Sequence, residues 1–178
     1  VPLEVFGRDP YKTLVSTILS ARTRDEVTLK ISQNLFKHAP NLKTLRNLSQ
    51  KEIEEIIHGV GFHKTKAKHL YELAHQIDKV ANTREELMEL PGVGRKTANL
   101  VLNRAFKIPA IAVDTHVHKI SNLLGWVHTK TPEQTEMELN KIIPKKYWSD
   151  MNKLFVSMGR KFNTKKRMEE FLKENNLI

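Results

Sequence analysis

The chain has 178 residues, 39% of them hydrophobic, enough for one large domain or two small ones around a real core. Thirty Lys and Arg against twenty Asp and Glu leave a formal charge of +10, which favours a polyanionic partner, nucleic acid before an anionic membrane. Cysteine is absent, which excludes disulfides, thiolate metal sites and cysteine nucleophiles. No apolar run approaches a membrane span and no signal-peptide pattern opens the chain, so an intracellular place, in the cytoplasm or at the nucleoid, is expected.

Nearly every segment reads as helix. Tyr11, Leu14, Val15, Ile18 and Leu19 form one apolar stripe that breaks near Ala21-Arg22-Thr23. Thr23 and Glu26 stand as a capping box ahead of a second helix carrying Val27, Ile31 and Leu35, which Ala39-Pro40-Asn41 ends. Ser49 and Glu52 repeat the box before a short helix stopped at Gly59-Val60-Gly61. A longer helix is predicted over residues 65–81, with Ala67, Leu70, Tyr71, Ala74 and Ile77 inward, and Thr83 and Glu86 cap the run over 84–90.

Residues 90–99, LPGVGRKTAN, interrupt the helices most sharply. Pro91 removes a donor and Gly92 and Gly94 favour left-handed backbone, so the stretch is a tight turn between two helices. Main-chain N–H groups at the start of the second helix can then receive an anion such as a DNA phosphate, with Lys96 in the first turn beside it. His58-Gly59-Val60-Gly61 followed by Lys66-Ala67 echoes this pattern, as reuse of a turn type. The basic group His63, Lys64, Lys66, Lys68 and His69 reads as a solvated helix start or as phosphate contacts.

Beyond Ile108-Pro109, Asp114 is the N-cap of a helix with Val117, Ile120, Leu123 and Leu124 buried, ended by Gly125. Thr131-Pro132-Glu133-Gln134 combines a cap, an N1 proline and a capping box. Trp148, Met151, Leu154, Phe155 and Met158 line a later helix. Only residues 108–113 look like a strand, and the run is short, so the fold class is all-α. His116 and His118 invite a metal reading, but residues two apart on a helix do not share a face, and no metal site is expected.

On the hairpin with Lys96, and on VDTH at residues 113–116 with its aspartate eighteen residues past that lysine, the chain resembles the helix–hairpin–helix DNA glycosylases, and endonuclease III most. The likeness runs from Asp9-Pro10 through Leu19-Ser20-Ala21 and Gly59-Val60-Gly61 to Met158-Gly159-Arg160. It implies two helical domains with a DNA-binding cleft between them. A helical barrel containing the hairpin would span residues 9–108, and residues 1–8 would join 109–178 in the second domain.

The resemblance also implies roles. Lys96 is the nucleophile that attacks the anomeric carbon of a flipped-out nucleotide and forms a Schiff base. Asp114 stabilises positive charge on the sugar and helps activate the amine, and β-elimination then nicks the strand. This agrees with elementary chemistry, since an attacking amine must be unprotonated and a carboxylate favours a developing oxocarbenium ion. Taken alone, Lys96 reads as a solvated lysine or phosphate contact and Asp114 as an ordinary cap; together at the family spacing they gain a joint purpose. Gly92, Val93, Gly94, Arg95 and Thr97 become DNA contacts of the hairpin, and His116 approaches DNA or caps its own helix.

Two loops that fill the gap left by the extruded base fall at Arg22 and Phe62, where endonuclease III usually has glutamine and leucine. The four cysteines that hold an iron–sulfur cluster after Gly-Arg in that family are missing after Gly159-Arg160. No cofactor is expected, and Trp148, Phe155 and Phe171 are candidates to pack the C-terminus instead. The implied partner is duplex DNA holding a damaged base, an oxidised pyrimidine, or an abasic site, bound by a monomer. The alternatives are an 8-oxoguanine or mismatch-type glycosylase of the same superfamily and a non-catalytic helix–hairpin–helix DNA-binding protein.

Overall fold

The computed structural model describes residues 2–178, and among them there is helix but no strand. The chain divides into two compact units, Val1–Ile108 and Pro109–Ile178.

The first unit holds a 3-10 turn at Pro2–Phe6, then α1 (Pro10–Ser20), α2 (Asp25–His38), α3 (Leu42–Arg46), α4 (Gln50–Ile56), α5 (His63–Gln76), α6 (Arg84–Met88) and α7 (Arg95–Phe106). Asp9 caps α1 through the main-chain N–H of Lys12, with Pro10 at the first helical position. From Tyr11 to Leu19 every α1 residue but Lys12 is buried, so α1 is the central rod of this unit. Its polar members are satisfied locally: Thr13 Oγ1 donates to the Phe6 carbonyl (2.7 Å) and Thr17 Oγ1 to the Thr13 carbonyl (2.7 Å). α2 and α7 pack against α1.

Residues 2–8 differ from the expected pairing with the C-terminal helices, and residue 1 of that expected segment lies outside the described residues. Phe6 lies edge-on to Phe36 of α2 at 5.1 Å between ring centres, and its carbonyl is held by Thr13, which ties the opening turn to the first unit.

Two local predictions also yield to tertiary contacts. α5 ends at Gln76 rather than near Ala81, because the Arg46 guanidinium takes the carbonyls of Ala74 (2.7 Å) and Ile77 (3.0 Å) and Ile77 turns extended. Thr23 does not cap α2. The N-cap is Arg24, without a side-chain bond, and the Thr23 hydroxyl is engaged by Gly61 and Lys66. Ser49 and Glu52 do form the reciprocal capping box. The two glycine turns share a device: Val60 and Val93 are buried pegs whose N–H groups donate to the Ile57 (3.0 Å) and Leu90 (3.1 Å) carbonyls.

The second unit contains α8 (Thr115–Leu123), α9 (Pro132–Ile142), a 3-10 turn at Lys145–Tyr147, α10 (Trp148–Lys161) and α11 (Lys165–Glu174). The strand-like run before α8 is irregular backbone whose buried Ala112 carbonyl accepts from Asn152 Nδ2 (3.0 Å), so a side chain replaces a ladder. Thr131 caps α9, but Gln134 Oε1 accepts from Lys130 N instead of closing the box. Ile111, Val117, Ile120, Leu139, Met151, Phe155, Met168 and Leu172 make the core, with Trp148, Phe162 and Phe171 at its edge. Phe162 and Phe171 stack at 4.3 Å, and Trp148 Nε1 donates to the Ile143 carbonyl. Leu154, expected to be on the inner face of α10, is 54% exposed.

Candidate active site

The hairpin starts from Gly92, whose φ of +74° is left-handed and whose missing side chain leaves room for the His69 ring of α5. Val93 is only 6% exposed, so of the expected DNA contacts it offers its main chain alone. Gly94 precedes α7 and accepts from Ala98 N (2.9 Å), but it has no side chain to satisfy the first-turn N–H groups. The Lys96 side chain is exposed in that first turn, and its ammonium makes no hydrogen bond or ion pair among the described residues. Arg95 and Thr97 beside it are half-buried.

The pattern of capping within the first unit is informative. α1, α3, α4 and α6 are closed by Asp9, Asn41, Ser49 and Thr83. α2, α5 and α7 have no side-chain cap, and these are the helices that follow the Arg22 loop, Phe62 and the hairpin. Unfilled N–H groups at a helix start, with the positive dipole end behind them, form the chemistry that receives an oxyanion. At α5 the first turn adds Lys64 and at α7 Arg95 and Lys96, the sign that disfavours an isolated helix and favours a bound phosphate; α2 carries Asp25 and Glu26 there, the opposite sign.

Arg22 and Phe62 stand out by backbone. Both are left-handed, with φ of 52° and 58°, a conformation that costs a residue with a side chain about 1–2 kcal/mol. Phe62 is 61% exposed, and the Arg22 guanidinium lies over its ring, 5.4 Å from the centre. Lys66 lies beneath them, only 5% exposed. Its Nζ donates to the carbonyls of Leu19 (2.8 Å) and Ala21 (2.6 Å) and to Thr23 Oγ1 (3.2 Å). Burial pulls this amine down to about 8 from its ordinary value near 10.5. Lys66, expected with its basic neighbours to be solvated or to contact a phosphate, is buried against main-chain carbonyls instead. Its place on the Ala67–Leu70–Leu73 stripe, four residues before Leu70, was the signal that it turns inward.

Asp114 is half-buried and caps α8: Oδ1 accepts from the N–H groups of His116 and Val117, each at 2.9 Å. Oδ2 takes no hydrogen bond among the described residues, so the carboxylate holds a helix and keeps one oxygen available. His116 packs on Gly159 of α10, where a Cβ would overlap the imidazole. His118 faces elsewhere, its Nδ1 2.6 Å from Thr135 Oγ1 in a polar network with Asn122 and Thr129. Lys96 belongs to the first unit and Asp114 with His116 to the second.

The iron–sulfur cluster that the resemblance implies does not fit these residues. The chain has no cysteine, and among the described residues no group of His, Asp or Glu could hold a metal ion. Gly159-Arg160 leads instead into α11, which buries Met168 and Leu172. Among the described residues no helix is long and apolar enough to cross a membrane.

Comparison with known proteins gives consistent results. The family model for HhH-GPD superfamily base excision DNA repair proteins matches residues 15–145. The chain is 45% identical over 158 residues to Endonuclease III of Thermotoga maritima, covering 86% of this chain and 74% of that protein. It is 40% identical to Endonuclease III of a Synechocystis species, over 85% of this chain and 72% of the relative. A structure of a trapped endonuclease III–DNA covalent intermediate superposes with a TM-score of 0.83 at 36% identity, covering 88% of this chain and 76% of that one. A thermostable thymine-DNA glycosylase shares the fold, with a TM-score of 0.78 at 24% identity over 91% of this chain and 79% of its own.

Proposed function

The chain belongs to the HhH-GPD superfamily of base excision DNA repair proteins, and from that premise we propose that it excises an oxidised pyrimidine from duplex DNA through a Schiff base on Lys96. The observation that carries this reading is an exposed amine in the first turn of an uncapped helix, immediately after a glycine hairpin, with no partner of its own among the described residues.

In the first step the unprotonated Lys96 Nζ attacks C1′ of an extruded nucleotide. The N-glycosidic bond breaks, and the base departs with the bonding pair and takes up a proton. The Asp114 carboxylate favours the positive charge that develops on the sugar as that bond lengthens. Opening of the sugar ring gives an iminium on Nζ, which acidifies C2′. Loss of a C2′ proton expels the 3′ phosphate, and water then releases the enzyme. The main-chain N–H groups of Gly92, Gly94, Arg95 and Thr97 hold the backbone phosphate that fixes the register of the strand, while Val93, whose N–H is taken by the Leu90 carbonyl, shapes the turn from within. Arg22 and Phe62 enter the duplex where the base has left, and His116 supports the DNA side of α8.

The protein acts as a monomer on DNA that holds a damaged base or an abasic site, inside the cell at the nucleoid. Borohydride reduction with an abasic-site duplex is the test. The wild type is expected to crosslink covalently, and Lys96→Ala to lose the crosslink while retaining DNA binding. A wild-type protein that binds such a duplex to saturation and is never trapped would be a binding module instead.

A further inference from the structure

Two loops distant in sequence meet at one buried ammonium. The first, residues 21–24, carries Arg22; the second, residues 59–62, carries Phe62. Their main chains touch directly: a Cβ on Gly61 would stand 2.6 Å from the Arg22 carbonyl oxygen, so only glycine allows the approach. Gly61 N also donates to Thr23 Oγ1 (3.0 Å).

The hydrogen-bond stoichiometry at this junction is complete. An ammonium has three protons, and the three on Lys66 go to Leu19 O, Ala21 O and Thr23 Oγ1. The Thr23 hydroxyl accepts from Lys66 and Gly61 and donates to Ala21 O (3.3 Å), which uses its one proton and both lone pairs. Left-handed backbone at arginine and phenylalanine persists only where surrounding contacts over-determine it. Here the contacts fall one residue on either side of Arg22 and one residue before Phe62.

We infer that Lys66 is a positioning residue: through Ala21, Thr23 and Gly61 it holds Arg22 stacked on Phe62 as a preformed wedge before DNA arrives. This rests on the reading of Arg22 and Phe62 as the residues that enter the duplex. The same helix serves the hairpin, since His69, three residues on from Lys66, fills the space over Gly92. α5 therefore keeps the wedge and the phosphate turn in register, and the wedge need not be assembled while the base is leaving.

A mutant cycle tests it, using single-turnover base removal from a duplex with one thymine glycol, at saturating protein. Lys66→Met keeps the buried stem and removes the ammonium. We expect the rate to fall about ten- to hundredfold, the equivalent of one lost charge-assisted hydrogen bond. In an Arg22→Ala/Phe62→Ala background the same substitution should change the rate by less than about twofold, because the element it positions is gone. A Lys66→Met effect that survives undiminished in that background overturns the inference and makes Lys66 merely structural. If Arg22→Ala/Phe62→Ala by itself keeps the wild-type rate, the wedge reading is wrong at its root, a different and separately visible failure. Should Lys66→Met not fold, Thr23→Val removes the hydroxyl at the centre of the junction. It is expected to show the same loss and the same collapse in the double background, and a wild-type rate for it overturns the inference too.

Discussion

Replacing Leu172 by alanine probes how the C-terminal unit stays folded without cysteine ligands for a cluster. Leu172 is fully buried (0% exposed), in one core with Phe155, Met168 and Leu139, and it belongs to α11, the helix that follows Gly159-Arg160 and Phe162. Three carbons leave the core, worth about 0.8 kcal/mol each in lost transfer. The cavity left behind adds to that, so about 3–4 kcal/mol is expected, within the usual span for Leu→Ala. In a chain of this length, that lowers the thermal midpoint by about 6–16 °C. Leu154→Ala is the control: Leu154 is 54% exposed on neighbouring α10 and should shift stability by no more than about 0.5 kcal/mol. Urea unfolding followed by tryptophan fluorescence reads both, since Trp126 and Trp148 lie in this unit and Trp126 is 5.8 Å from Phe155. A Leu172→Ala loss below about 1 kcal/mol, or one no larger than the control, would refute the view that α11 fastens this unit.

Two further outcomes follow from the site. Asp114→Asn preserves the cap, because asparagine serves as well as aspartate at that position, so stability should barely move. Base removal should fall by about a hundredfold or more from lost electrostatic stabilisation while DNA affinity is retained; parallel loss of both would make Asp114 structural. Lys66 gives a pH dependence. Its folded value of about 8 lies below the ordinary 10.5, so between those values the unfolded chain keeps a proton that the folded one has released. Stability therefore rises with pH in that window, by about 1–3 kcal/mol. Above pH 10, Tyr11, whose phenol burial pushes upward, works in the opposite sense. The difference in unfolding free energy between wild type and Lys66→Met should grow in favour of wild type from pH 7.5 to 9.5, and a flat difference would contradict it.

Much of the fold was legible because short-range rules governed it. The α1 stripe, the Ser49–Glu52 box and the Asp114 and Thr131 caps all depend on neighbours within four residues, and all are present. Three of the failures share a cause, a distant partner that outbids a local one. Thr23 sits where a cap is predicted, yet Gly61 and Lys66 claim its hydroxyl. Arg46 ends α5 from thirty residues upstream, and Phe6 finds α2 rather than the C-terminal helices. Lys66 shows the limit best. Among Lys64, Lys66 and Lys68 composition draws no distinction, and only helical phase separates the buried one from its exposed neighbours.

The unsealed starts of α5 and α7 have a consequence for anyone who wishes to toughen this protein. Closing α5 or α7 with serine or aspartate would look like free gain, about 1 kcal/mol apiece. On the function proposed above, each such graft would fill from within the seat that a nucleotide oxygen takes. On that reading the two helix starts are completed only by the substrate.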